Sequence, residues 1–105
     1  MNHHLSFEDD LLIVTPLVSR LDAHAAPALR AVLLQQIEAG CQRVKIDLEH
    51  VQFIDSSGLG AIVAARKHLG ADGDLAVCSL AKTVRSMFEV TALDRVIAIA
   101  EPAKP

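Results

Sequence analysis

From Ile46 to Gly60 the chain changes its period part-way, and that change limits what it can fold into. Val44, Ile46 and Leu48 alternate as one face of a strand. Leu59, Ile62, Val63 and Leu69 then recur at three- and four-residue spacing, with Arg66 among them, as an amphipathic helix does. The polar tetrad Asp55-Ser56-Ser57-Gly58 lies between them. A strand that turns through polar residues into a helix is the building unit of α/β folds, which carry their sites outside the carboxyl ends of the strands.

The rest of the chain repeats the pattern. His3 to Glu8 alternates Leu5 and Phe7 with polar residues and suits an edge strand. Glu8-Asp9-Asp10 is an acidic turn, and Leu11 to Thr15 reads as a second strand that ends near Pro16. Ser19-Arg20-Leu21-Asp22 reads as a polar connection, with Asp22 placed to cap a first helical turn. Pro27 fits a helix that begins near Ala26, carries Leu29, Val32, Leu33 and Ile37 on one stripe, and stops at Gly40. The strand after that helix is expected parallel to the one before it. Gly70 ends the second helix, and Leu75 to Cys78 is a short buried strand. Ser79 is expected to cap a third helix whose apolar stripe is Val84, Met87 and Phe88, with Val90 near its end, and Val96 to Ile99 is expected as the last strand. The fold class is α/β: a small mixed sheet of four to five strands packed with three to four helices. Residues 1–105 read as one domain, with a frayed tail at 101–105.

Composition removes several functions. No apolar run approaches the roughly 18–20 residues that cross a bilayer. No basic-then-apolar leader follows Met1, so the cytoplasm is the expected compartment. A net charge of −3, no Trp or Tyr and three Phe argue against a nucleic-acid surface. Cys41 and Cys78 form no C-x-x-C pair and read as free thiols. The five histidines are scattered, without metal-ligand spacing, and neither serine of the tetrad lies in G-x-S-x-G. Gly58-x-Gly60 lacks both the third glycine of a dinucleotide loop and the lysine of a P-loop. No catalytic residue, cofactor or metal site is expected.

What remains is a pair of hydroxyls, Ser56 and Ser57, at a helix N-terminus. One serine suffices for a cap. The second is spare, and unpaired backbone N–H groups of the helix are expected to face whatever the hydroxyls carry. Glycine early in a helix costs about 0.8–1.0 kcal/mol relative to Ala. Gly58 and Gly60 therefore suggest a place where another protein's backbone comes close.

Phe53-Ile54-Asp55-Ser56-Ser57-Gly58-Leu59-Gly60 resembles the signature of the STAS domain family, in its anti-sigma factor antagonist type. Leu21-Asp22 with Ala26-Pro27-Ala28-Leu29-Arg30, and Val77-Cys78 with Val84-Arg85-Ser86-Met87-Phe88-Glu89, extend the resemblance over nearly the whole chain. It implies that Ser56 is phosphorylated and that Asp22, Asp55, Ser57, Gly58, Leu59 and Gly60 meet a partner. The implied partners are an anti-sigma factor with serine kinase activity and a PP2C-type phosphatase, with no nucleic acid and no direct membrane insertion. The other function kept open is a STAS subunit that stabilises the ATPase of a membrane-lipid transport complex. Two positions depart from the family pattern. Ser19-Arg20 stands where Gly and an acid are usual, and Thr91-Ala92-Leu93 where Thr-Gly-Leu is common.

Overall fold

The computed structural model describes residues 1–100; the expected tail at 101–105 lies outside them. Two strands, β1 (His3–Glu8) and β2 (Leu11–Pro16), form an antiparallel hairpin that turns at Asp9, whose φ is 57°. A two-residue strand β3 (Arg20–Leu21) precedes helix α1 (Ala26–Glu38), which leads to β4 (Arg43–Asp47). A second two-residue strand, β5 (Phe53–Ile54), feeds α2 (Ser56–Leu69). Then come β6 (Asp74–Cys78), α3 (Lys82–Val90), a 3-10 turn at Leu93–Arg95 and β7 (Ala98–Ala100).

The main sheet runs β1-β2-β4-β6-β7, and every pair beyond the hairpin is parallel. The parallel relation expected between the strands flanking the first helix therefore holds. Alternate residues of a strand face opposite sides. Leu12, Val14, Val44, Ile46, Leu75 and Val77 accordingly join one core with Leu29, Leu33 and Ile37 of α1 and Leu59, Ile62, Ala65 and Leu69 of α2. Fully burying a Leu, Ile or Val side chain is worth about 1.5–3 kcal/mol, so this two-layer contact carries the fold. Pro27 sits in the first turn of α1, and Gly40 follows that helix at φ 114°, as expected.

Three expectations need correction. The connection Ser19 to Asp22 contains β3, which pairs in parallel with β5 as a separate two-stranded sheet, and Leu21 within it is fully buried. Ser79 does not cap α3. It takes a left-handed φ of 61°, and Ala81 is the N-cap, without a side-chain hydrogen bond. Val90 ends that helix, as expected, and is 81% exposed. The last strand starts two residues late, because the 3-10 turn occupies the preceding segment. Both cysteines are free; burial pushes the Cys78 thiol pKa up.

Ala92, in the segment that departs from the Thr-Gly-Leu implied by the resemblance, takes φ 60°. A Cβ in the left-handed region costs roughly 1–2 kcal/mol, and glycine removes that cost while losing more chain entropy. Ala92→Gly is expected to raise stability by about 0.5–1 kcal/mol, read as a higher urea midpoint at unchanged slope.

Candidate functional site

The tetrad leaves the small β3–β5 sheet rather than the carboxyl end of β4. Asp55 is extended, at φ −115° and ψ −171°, and its side chain caps α2. One oxygen, Oδ1, accepts from the backbone N–H of Ser57 at 2.9 Å and of Gly58 at 3.2 Å. The Asp55 carbonyl accepts from Leu59 N–H at 3.0 Å. Neither serine is the cap, and the amides of Ser57 and Gly58 are already taken by Asp55, contrary to expectation. Ser56 and Ser57 begin the helix with both side chains exposed.

The register of β3 on β5 explains the glycine. Leu21 pairs with Ile54, so Asp22 and Asp55 follow as the next residues of adjacent parallel strands. Asp55 N–H donates to the Leu21 carbonyl at 3.4 Å. A Cβ on Gly58 would collide with that same carbonyl oxygen and lie 2.7 Å from Cγ1 of Ile54. The close backbone approach inferred for Gly58 is therefore internal. Leu59 is only 5% exposed and supports the site from below, whereas Gly60 is exposed with open space where a side chain would go. Of the residues expected at a partner surface, Ser57 and Gly60 reach it fully, Asp22 and Asp55 in part, and Gly58 and Leu59 lie beneath it.

Asp22 closes a turn before α1: its Oδ1 accepts from His24 N–H at 3.0 Å and from Ala25 N–H at 3.4 Å. Burial raises its pKa, but those two amides, the His24 charge and Arg20 outweigh it and hold the carboxyl below its ordinary value. Sequence reasoning missed the group beside it. Arg20 Nε lies 3.5 Å from Asp22 Oδ2, and the guanidinium stacks over the half-exposed ring of Phe53, 4.1 Å from its centroid. The missing signal was the β3–β5 pairing, which sets Arg20 opposite Phe53. Thr83 of α3 donates its hydroxyl to the Gln52 carbonyl at 2.7 Å and ties the third helix to the strand that precedes the serines.

The STAS domain family model matches residues 5–103. The chain belongs to the STAS domain family. An anti-sigma F factor antagonist of Paenibacillus polymyxa is 28% identical over 101 residues, which span 94% of this chain and 82% of that protein. An anti-sigma-B factor antagonist of Staphylococcus aureus is 32% identical over 74 residues, 70% of this chain and 68% of that one. Among solved structures, an anti-sigma-factor antagonist (STAS) domain protein from Planctomyces limnophilus superposes with a TM-score of 0.85 at 25% identity, covering 97% of this chain and 91% of its own. The observed mixed sheet with its three helices is the STAS fold.

Two outcomes test the site's construction. Gly58→Ala is expected to destabilise this STAS domain by about 1–3 kcal/mol through overpacking. Gly60→Ala, in open space, is expected to stabilise it by up to about 1 kcal/mol; urea titration of both variants separates the two roles. The second outcome concerns pH. A carboxylate with a lowered folded-state pKa stabilises the fold above its unfolded-state value of about 3.9 and loses that contribution as pH falls through the folded-state value. Asp22→Asn is therefore expected to be less stable than the parent at pH 7, and the difference to close below about pH 4, measured by urea titration at each pH.

Proposed function

We infer that this STAS domain is an anti-sigma factor antagonist that works as a phosphorylation-controlled partner switch. In its unphosphorylated form it binds an anti-sigma factor that is also a serine kinase, and so releases the sigma factor. That kinase phosphorylates Ser56, and a PP2C-type phosphatase restores the hydroxyl. The protein is a regulatory binding module of the cytoplasm, not an enzyme. The names of its relatives favour this reading over a transporter subunit. Among the described residues no helix is long and apolar enough to cross a membrane.

The observation that carries the proposal is the exposed Ser56 hydroxyl beside a helix cap already filled by Asp55. Phosphorylation adds about −1.5 to −2 charge and three acceptor oxygens. The amides of Ser57 and Gly58 are occupied, so the phosphate stays at the surface, next to the Asp55 carboxylate. The positive end of the helix dipole favours a negative charge there, and the fold survives. A partner that had closed over a neutral hydroxyl must then bury a dianion. Leaving such a charge unmatched at an interface costs about 2–5 kcal/mol, and each ~1.4 kcal/mol is tenfold in affinity.

Incubation with ATP and the cognate anti-sigma factor kinase is expected to add one phosphate to the parent chain, read by intact mass. Ser57→Ala should still take up that phosphate and Ser56→Ala should not. Ser56→Ala is expected to bind the kinase as the unmodified parent does. Ser56→Asp is expected to weaken that binding by roughly a hundredfold or more, measured by calorimetry. Equal binding of Ser56→Ala and Ser56→Asp would sink the switch; incorporation that follows Ser57 would move the site.

A further inference from the structure

The geometry points to an interface at the opposite end of the hairpin: two copies of this chain pair antiparallel through the free edge of β1, about a two-fold axis at Ser6. This inference does not rest on the serine switch.

β1 is the first strand in the sheet order, and among the described residues nothing pairs its outer edge. Proteins usually blunt such an edge with Pro, Lys, a bulge or a very short strand. β1 has none of these. It is six residues long, His-His-Leu-Ser-Phe-Glu, and its register with β2 runs unbroken from His3↔Pro16 to Glu8↔Leu11. β7, at the far edge, has three residues. β1 also carries an unsatisfied apolar group. Phe7 pairs in register with Leu12, which is fully buried, so its side chain lies on the core side of the sheet. At the open edge it is nevertheless 58% exposed.

The sequence of this edge is complementary to itself. With Ser6 opposite the Ser6 of a second copy, Leu5 of each chain meets Phe7 of the other on the core side. On the opposite face His4 of each meets Glu8 of the other, and His3, back on the side of Leu5 and Phe7, is set opposite Asp9 of the second copy. Each favourable pair occurs twice, as a two-fold interface requires. Centring the pair on Leu5 would set His3 against Phe7. Centring it on Phe7 would set Ser6 against Glu8. A slip by one residue would mix the two faces. Directly opposed apolar and polar partners are the stabilising unit of a sheet, and the Ser6-centred register sets Leu5 against Phe7 and the His4 imidazole against the Glu8 carboxylate.

Few residues take part, so the association is weak, and sedimentation velocity of the full chain from about 10 μM to 1 mM is the appropriate measurement. The expected result is a concentration-dependent shift from the 11.3 kDa monomer toward twice that mass. Glu8→Lys sets a cation against His4, and His4→Glu sets two carboxylates together. Each alone is expected to weaken the dimer by about tenfold or more, whereas the double variant His4→Glu/Glu8→Lys exchanges the charges and restores it. Ser6→Cys is expected to form an interchain disulfide on mild oxidation, and Leu17→Cys, away from the axis, is not. A chain that stays monomeric throughout that range overturns the proposal, as does a dimer that ignores both single charge changes. A double variant no better than the singles, with no Ser6→Cys crosslink, overturns it as well.

Discussion

A single carboxylate oxygen fixes the geometry of the site. Asp55 Oδ1 accepts the amides of Ser57 and Gly58, which makes Asp55 the last extended residue and Ser56 the first helical one. Each residue of an α-helix advances about 100° around the axis. A start one residue later, with Ser56 as the cap, would displace the stripe Leu59, Ile62, Ala65 and Leu69 from the core it fills. It would also take Gly58 away from the Leu21 carbonyl. The cap, the glycine and the buried stripe thus agree on one register. That agreement puts both hydroxyls outward.

The neighbourhood of those hydroxyls departs from what the resemblance implied. A cation, Arg20, stands where the resemblance implied an acid. It sits over the Phe53 ring and pairs with Asp22. Arginine on an aromatic face keeps its charge while covering apolar surface. The ground beside the serines is therefore a positive, planar, half-apolar patch bordered by two carboxylates. Charges at the rim of an interface govern which partner is steered in and how fast. In this STAS domain the serines accordingly stand beside a cation as well as two carboxylates.

Much of this was legible in the sequence because the core writes itself at two periods. Leu12 and Val14, Val44 and Ile46, and Leu75 and Val77 alternate, and the stripes of α1 and α2 recur at helical spacing. Gly40 and Gly70, both at positive φ, marked the helix ends. Other features were hidden for physical reasons. A two-residue strand such as Arg20–Leu21 has no period to detect, and only pairing with the distant Phe53–Ile54 defines it. Asp and Ser are comparably good caps, and a reading that weighed only the two serines passed over Asp55. The deciding contact, Gly58 against Leu21, spans thirty-seven positions.

The same construction explains how a switch can work here without moving. The residues beneath the serines are committed: Gly58 and Leu59 are buried, and Asp22 and Asp55 are engaged with backbone amides. A charge added at position 56 finds the amides of Ser57 and Gly58 already taken by Asp55. Its free energy is expressed almost entirely in what can come to rest on the surface. A ligand or modification shifts an equilibrium only by its differential interaction with the two states. In the proposed switch those states are the protein bound and the protein free, with one backbone common to both. The discrimination therefore lies in the partner's surface, and the domain supplies a fixed place for the charge to appear.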